Sequence, residues 1–425
     1  MEFKSYWHAT APRFAGAAEG PVEGEFDVAV VGGGFTGLSA ARTLAREGAR
    51  VALLEARHVG YGASGRNGGH LNNGLAHGYA SAKQHLGEAR AKALYRALDD
   101  SIDTIERIVA EESIACDFRR SGKLKLASKP KHFEAIAKNF EIVHREVDSE
   151  TALLTADELR PEIGSQSFHG AMLSKKSAMM HMGRFVTGMA EAATRHGATI
   201  FEEAPVTART KSGGQWRIET PRGQLSCRNV FVATDAYTEG PFDHFKRRII
   251  PVGSFIVATR PLSDEEVAAT MPGNRTYVTS LNIGNYFRLS PDNRLIFGGR
   301  ARFSAASNAR SDAISGRILQ ESLAAIFPQL AGIEIDYCWG GLVGMTTDRF
   351  PRAGEVDGLY YAMGYSGHGA QLSTHLGEIM GEIIAGKPDR NPLKGLAWDA
   401  VPGYSGKPWF LPAVGLYYKL LDRIQ

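Results

Sequence analysis

The sequence predicts an α/β fold, α+β overall. One unit is a parallel sheet assembled from separated segments, and a β-rich domain is inserted into it. Three observations carry this. Residues 28–37 read VAVVGGGFTG, and Glu55, closing VALLEA, follows 18 residues after the last of those glycines. A second strand–glycine–helix junction, LYYAMGYSGHGAQLSTHLGEIMGEII, stands near the C-terminus. Between them, residues 241–340 are rich in strand patterns such as RIIPVGSFIVATR and NYFRLSPDNRLIFGGR.

The first stretch is the most specific. Val28 to Val31 read as a buried strand, and a helical pattern opens at Leu38. Gly32, Gly34 and Gly37 fall on a G-x-G-x-x-G spacing. Gly32 permits the tight turn, Gly34 admits a close pyrophosphate, and Gly37 lets helix and strand pack closely. The pyrophosphate then sits at a helix N-terminus, where unpaired N–H groups and the dipole favour an anion. The run Gly32, Gly33, Gly34, Phe35, Thr36 and Gly37 is therefore expected to hold a dinucleotide. Glu55 is placed to accept hydrogen bonds from an adenosine ribose. A lone glycine motif is weak; a strand before, a helix after and an acid at this distance make it strong.

Composition excludes more than it identifies. The chain has 425 residues, 43% hydrophobic and 22% charged, enough for two or three domains of core. The net charge of +3 gives no reason to expect nucleic acid or an anionic membrane as partner. The 13 histidines are scattered, with no H-E-x-x-H or H-x-x-x-H pair on an expected helix, so no metal is expected. Cys116, Cys227 and Cys338 form no C-x-x-C and read as small buried hydrophobes. The N-terminus lacks a signal-peptide core, and no run approaches the ~18 apolar residues of a spanning helix. A cytoplasmic location is expected.

The remaining elements follow in order. Residues 1–25 read as an irregular N-terminal arm. The dinucleotide-binding segments are expected at 26–80, 151–240 and 341–395. The β-rich substrate domain comprises 81–150 and 241–340, and 396–425 form a C-terminal tail with an amphipathic YYKLLDRI. SGKLKLA alternates like a short strand, and GQWRIET-PRG-QLSCRNVFVAT reads as a hairpin entering a buried strand.

Three glycine or strand junctions favour FAD over NAD. The loop Gly62 to Gly69 (GASGRNGG) follows the second strand directly and can reach along a large flavin. Val230 to Thr234 (VFVAT) reads as a buried strand ending at a turn. Gly364 to Gly369 (GYSGHG) opens a helix whose N–H groups and dipole can face the flavin N1/C2 carbonyl, where charge develops on reduction. Each alone is equally well a glycine turn. Together they describe a Rossmann-type FAD-binding domain built from discontinuous segments, plus the inserted β-rich substrate domain.

With these motifs the chain resembles the FAD-dependent amine and amino-acid oxidases of the D-amino-acid oxidase/glycine oxidase family, over about residues 26–390. The matching stretches include VVGGGFTGLSAA, LLEARHVGYGASGRNGG, YFRLSPDNRLIFGG, FPQLAGIEIDYCWGG and YYAMGYSGHG. The resemblance implies a non-covalent FAD, hydride transfer to flavin N5 and reoxidation by oxygen to hydrogen peroxide. It implies that Gly32, Gly34 and Gly37 hold the pyrophosphate, and that Glu55, Ala56 and Arg57 lie at the adenosine. It places Ala63, Ser64, Arg66, Asn67 and Gly68 along the pyrophosphate and isoalloxazine, Val206 at the adenine, and Gly367, His368, Gly369 and Ala370 at the flavin end.

One departure narrows the substrate. The family's amino-acid oxidases carry an arginine in a G-L-R-P stretch that grips an α-carboxylate. Here the stretch is Gly341-Leu342-Val343-Gly344. Val343 cannot bind a carboxylate, so an amine without an adjacent carboxylate is expected. A polyamine derivative is the preferred class, with gamma-glutamylputrescine first, giving imine, aldehyde and ammonia.

The candidate catalytic residues are His368, Arg288 and Tyr286. His368 is expected to touch the cofactor without a proton-transfer role. Arg288 either binds a distant substrate carboxylate or pairs with an acid on the sheet. Tyr286 shares its strand, YFRL. His70 either faces the substrate side of the flavin or is a loop histidine. Trp339 is expected in the core, Asp348 to orient its turn, and Lys123 and Lys125 to form a solvated face. Two rivals stay open: an amine dehydrogenase passing electrons to a quinone or carrier, and a non-catalytic flavin-binding protein. Oligomeric state is left open.

Overall fold

The computed structural model describes residues 1–74, 76, 78–299 and 309–424. Arg300, the last residue of the YFRL hairpin stretch, lies outside these. The apolar run VAVV forms the end of strand Glu25–Val31, buried on both faces as a central parallel strand must be. It pairs in parallel with Val51–Leu54 on one side and Gly223–Val232 on the other. Thr199–Phe201 extends the sheet beyond Val51–Leu54, and Leu359–Met363 extends it beyond Gly223–Val232, both in parallel. Arg352–Val356 closes that edge antiparallel. The hairpin read from GQWRIET is present as Gln215–Thr220 against Gly223–Val232.

The glycine-led helices Phe35–Arg46 and Gly369–Ile384 pack against each other. Their contact is made by glycines. A Cβ on Gly377 would lie 2.4 Å from the Thr36 carbonyl oxygen, and one on Gly381 would lie 3.1 Å from Thr43 Cβ. Backbone therefore meets backbone. Charge holds the far side of this pair. Arg42, 1% exposed, donates to Glu112 at 2.6 Å and Glu111 at 2.7 Å, while Arg107 donates to both oxygens of Glu378 at 2.6 Å. These ions tie helix Ser101–Glu111 to the two glycine-led helices.

The second sheet runs in the order Ile335–Met345, Ile250–Pro261, Arg294–Gly299, Asn285–Leu289, Thr276–Thr279, Lys123–Leu126, Gly170–Ser174, Ala152–Thr155. It is antiparallel except where Thr276–Thr279 pairs in parallel with Lys123–Leu126. One face carries Leu124, Leu126, Leu173, Phe255, Tyr277, Phe287 and Phe297, buried in a single cluster with Leu319 and Leu323 of helix Ala309–Ile326. The other face turns towards the first sheet.

Two expectations about organisation differ from this. Residues 151–174, grouped by sequence with the nucleotide-binding segments, hydrogen-bond into the second sheet. Their apolar positions Ala171 and Leu173 complete the core that Leu124 and Leu126 begin. The segment from 341 likewise starts inside a second-sheet strand. The N-terminal arm is not irregular throughout. Tyr6–Thr10 is helical with Trp7 fully buried, and the arm underpins the GASGRNGG loop: Ser5 donates to Gly65 O and Trp7 Nε1 to Asn67 O, both at 2.6 Å.

The tail ends in helix Leu411–Ile424. Its apolar side does not pack on the core: Leu416 is 72% exposed, with Tyr417 and Leu420 also exposed. Asp422 anchors it by accepting from the backbone N–H groups of Asn282 and Ile283 at 2.8 Å. No helix among the described residues is long and apolar enough to cross a membrane.

The ion network makes a stability prediction. Burial pushes the Glu112 carboxyl up, but hydrogen bonds from His196, Arg42 and Arg195 outweigh this and hold it at about 2. A carboxylate depressed in the folded state contributes stability above its ordinary value, and that contribution is lost as pH falls through the folded one. Arg42→Ala is expected to lose roughly 1–3 kcal/mol in urea unfolding near neutral pH, since Glu112 loses a charged hydrogen bond but keeps His196 and Arg195. Wild-type stability should fall from pH 4.5 towards about 2, and the variant's should fall less.

Candidate active site

The fingerprint glycines are each required by a contact. Gly32 has φ +111°, and a Cβ there would lie 2.8 Å from Ala233 O. A Cβ on Gly37 would lie 1.9 Å from Gly32 O, and one on Gly34 would lie 2.8 Å from Ser64 Oγ. Helix Phe35–Arg46 has no side-chain cap at Gly34. Its first internal bond is Leu38 N to Gly34 O, so the N–H groups of the first turn face outward from the helix ladder. Ser64 takes one of them, Phe35 N, at 2.9 Å.

Glu55 sits beside this turn. One carboxylate oxygen accepts from Gly33 N at 2.6 Å and the other from Arg57 N at 2.8 Å. Burial raises its pKa, against those two hydrogen bonds. A carboxylate has about four acceptor positions, so lone pairs remain for vicinal hydroxyls.

At the other end, Tyr365, Ser366 and Gly367 turn into helix Gly369–Ile384, again without a side-chain cap at His368. Asp235 fixes this turn. Its Oδ1 accepts from Gly364 N at 2.7 Å, and Ser366 N donates to Gly344 O at 2.9 Å. Burial raises the Asp235 carboxyl, opposed by backbone donors from Gly364, Ala236 and Gly344. Asp235 was not among the expected site residues. Its position directly after the buried strand VFVAT is the only sequence signal for it.

A cavity of about 720 Å³ joins the two ends. Apart from Gly37 and Arg288, every expected cofactor or catalytic residue lines it, Val206 included. Gly37 lies beneath, against the strand. Tyr286 and Ser254 line it from the second sheet, with their hydroxyls 2.9 Å apart. Val343 and Leu342 line it beside them. His70 also lines it. Its two ring nitrogens face Gly68 O at 3.0 Å and Phe287 O at 3.2 Å. Burial and then the charge of Arg288 lower its pKa to about 3, so the ring is neutral. Arg66 spends Nε on Tyr61 O and Nη1 on Gly340 O, bracing the loop it belongs to. Trp339 is buried and donates to Arg66 O at 3.0 Å. Asp348 pairs with Arg352 at 2.6 Å inside its own turn.

Two expectations are corrected. Arg288 does not reach the cavity. Its Nη1 donates to Gly69 O at 2.6 Å and Met180 O at 2.9 Å, over the Trp7 ring, so it positions the loop rather than a substrate. Gly69, with φ +80°, makes room for it: a Cβ there would lie 2.7 Å from Arg288 Nη1. Lys123 and Lys125 line the cavity instead of an outer sheet surface, Lys123 half-buried and Lys125 exposed. Partial burial lowers Lys123 to about 8.

These residues fit an FAD. Two uncapped helix N-termini face one elongated cavity of ligand size. Glu55 keeps acceptors for a ribose. Buried side-chain atoms on the cavity wall lack partners among the described residues: Asn73 Nδ2 and Gln371 Oε1. None of the three cysteines lines the cavity, and burial pushes each up to about 12. Among the described residues no group of three His, Cys, Asp or Glu could hold a metal.

Comparison with known proteins agrees with this geometry. Residues 27–383 match the FAD dependent oxidoreductase family designated DAO. Over 406 residues the chain is 34% identical to the probable oxidoreductase OrdL of Haemophilus influenzae, covering 93% of this chain and 92% of that one. It is 31% identical over 426 residues to gamma-glutamylputrescine oxidoreductase of Escherichia coli, covering 99% and 98%. The crystal structure of glycine oxidase from Geobacillus kaustophilus superposes with a TM-score of 0.74 at 21% identity, over 90% of this chain and 98% of that one.

Glu55→Ala tests the adenosine end. It is expected to weaken FAD binding about 10- to 100-fold, the range for charged hydrogen bonds. Titration of apoprotein with FAD, followed by flavin fluorescence, reads this directly. Unchanged affinity would remove Glu55 from the site.

Proposed function

The chain belongs to the DAO family of FAD-dependent oxidoreductases, which act on the CH–NH bond of amines and amino acids, and we propose that this member oxidises an amine with no carboxylate beside the reacting nitrogen. The single observation that supports this is Val343. It lines the cavity in the stretch Gly341-Leu342-Val343-Gly344, on strand Ile335–Met345, paired with Val252. An apolar side chain there leaves an α-carboxylate without a partner, and an unpaired buried charge is strongly disfavoured. The lining arginines are otherwise engaged or distant: Arg66 on carbonyl oxygens, Arg349 on Tyr418 OH at 3.1 Å, and Arg57 beside Glu55.

In this reading Gly32 to Thr36, Ser64 and Glu55 hold the ADP half of a non-covalent FAD. Arg66, Asn67, Gly68 and the turn Gly367 to Ala370 hold its flavin half. Bound there, FAD supplies the acceptor for the hydride lost from the carbon next to nitrogen, and oxygen as final acceptor yields hydrogen peroxide. The imine left behind hydrolyses to an aldehyde and ammonia. The N-terminus of helix Gly369–Ile384, with His368 at its cap, offers positive charge where negative charge accumulates on reduction. The Tyr286 and Ser254 hydroxyls and the neutral His70 ring orient the substrate, and orientation is the protein's main contribution to such a reaction. The similarity to gamma-glutamylputrescine oxidoreductase makes gamma-glutamylputrescine the first candidate substrate.

The test is anaerobic bleaching of the ~450 nm flavin band with a panel of amines. Gamma-glutamylputrescine and related primary amines are expected to bleach it at least tenfold faster than glycine or D-alanine. Rapid bleaching by glycine or D-alanine would overturn the reading built on Val343. In air the same turnover should release peroxide. Bleaching without peroxide would assign the electrons to a quinone or carrier instead.

A further inference from the structure

We infer that Lys123 and Lys125 form an anion-recognising subsite, holding a carboxylate of the substrate remote from its reacting nitrogen. This rests on the amine-oxidising reading above and names the substrate class within it.

In strand Lys123–Leu126 the leucines point into the core at 0% exposure, so the lysines share the opposite face. A Lys-Leu-Lys-Leu pattern ordinarily puts its lysines in water. Here that face looks into the cavity that Tyr79, Tyr95, Asn139 and Val143 also line, with Lys123 half-buried and Lys125 exposed. Sheet neighbours of the lysines continue the lining: Ser174 opposite Lys123, and Met172 and Val278 opposite Lys125.

No protein carboxylate neutralises the pair. Among the described residues neither lysine makes an ion pair, and Lys123 Nζ has one hydrogen bond, to Asn73 O at 3.3 Å. The acids whose charge Lys123 feels, Asp99 and Asp148, each engage another group through one oxygen, Asp99 with Lys176 and Asp148 with Glu150 N, while the other oxygen of each is buried without a partner among the described residues, and neither forms an ion pair with Lys123. An ammonium has three donors, so most of the pair's donors are free for a ligand. Side chains two apart on a strand stand about 7 Å apart, a span one carboxylate can bridge. A third donor adjoins them. Asn73 is 3% exposed and lines the cavity, and its Nδ2 has no partner among the described residues.

The position suits a remote group. Lys123–Leu126 lies two strands across the sheet from Tyr286 in Asn285–Leu289, roughly 10 Å at ordinary strand spacing. A γ-glutamyl amide of a four-carbon diamine is about three residues long, near 10 Å extended. Its amine end can therefore lie by Tyr286 and His70 while its carboxylate meets the lysines. A free diamine, positive at both ends, would set a cation against two cations. The preferred substrates are thus amines that carry a distal carboxylate, not polyamines themselves.

The experiment uses the FAD-loaded enzyme and two ligands of equal length: gamma-glutamylputrescine and the analogue whose carboxylate is a carboxamide. The wild type is expected to show a KM about 10- to 100-fold lower for the carboxylate, the worth of a charge-assisted hydrogen bond. Lys123→Met and Lys125→Met should each erase most of that preference while leaving the limiting rate of flavin reduction within about threefold, and Lys125→Arg should keep the preference. Glutarate supplies a readout without turnover: it should raise the Tm of wild type and not of the double Met variant. Equal KM values for the two amines in wild type, or full preference retained in the Met variants, would overturn the subsite. Equal loss of limiting rate for both amines would make the lysines proton-transfer groups instead. If no amine bleaches the wild-type flavin, the amine reading fails, and the glutarate shift still decides the subsite by itself.

Discussion

The site depends on two helices touching backbone to backbone. Phe35–Arg46 and Gly369–Ile384 begin far apart in sequence, yet their uncapped N-termini open on the same cavity. That convergence requires Gly377 and Gly381, where a side chain would strike Thr36 O or Thr43. The result is two positive helix ends directed at one elongated ligand, one for a phosphate and one for a developing flavin charge. Away from those ends, the Arg42, Glu111, Glu112, Arg107 and Glu378 network cross-links the helices.

The second sheet then decides chemistry. Its strands present alternate residues to the core and the cavity, and six of the eight contribute to the wall, among them Val343, Ser254, Tyr286, Val278, Lys125 and Met172. Across the sheet that wall passes from apolar at Val343, through hydroxyls, to cationic at the lysines. Beside the Gly341–Gly344 stretch the cationic side chain, Arg66, is spent on carbonyl oxygens, whereas the lysines stand several strands away. This gradient is the physical basis for reading the substrate as an amine with a distant anion.

Much of the cofactor anchor was legible in sequence because its constraints are local. A turn that passes beneath a carbonyl oxygen 1.9 Å from a Cβ position admits only glycine, and such demands leave a spacing that can be read. The second glycine junction and the valine at 343 were legible for the same reason. What was not legible depended on which surfaces meet. Alternation in KLKL fixes that the lysines share a face but is silent on what covers it. Arg288 reads as a sheet arginine until Gly69 and Met180 bring their carbonyls to it. The arm reads as irregular because Trp7 finds its burial against a loop 60 residues away, in Asn67 O. The strands at 152–155 and 170–174 were assigned by their neighbours in sequence, whereas Leu124 and Leu126 across the sheet determine where they pair.

The glycine contact between the two helices creates the flavin site. Gly377 lies outside the cavity lining, so Gly377→Val tests this without touching a cofactor contact. The measurement is the FAD dissociation constant of the variant, with the far-ultraviolet spectrum confirming that its secondary structure is intact. Overpacking of about 1–3 kcal/mol borne by the closed site predicts affinity roughly 5- to 150-fold weaker. A variant that binds FAD as tightly as wild type would show that the helix ends converge for another reason.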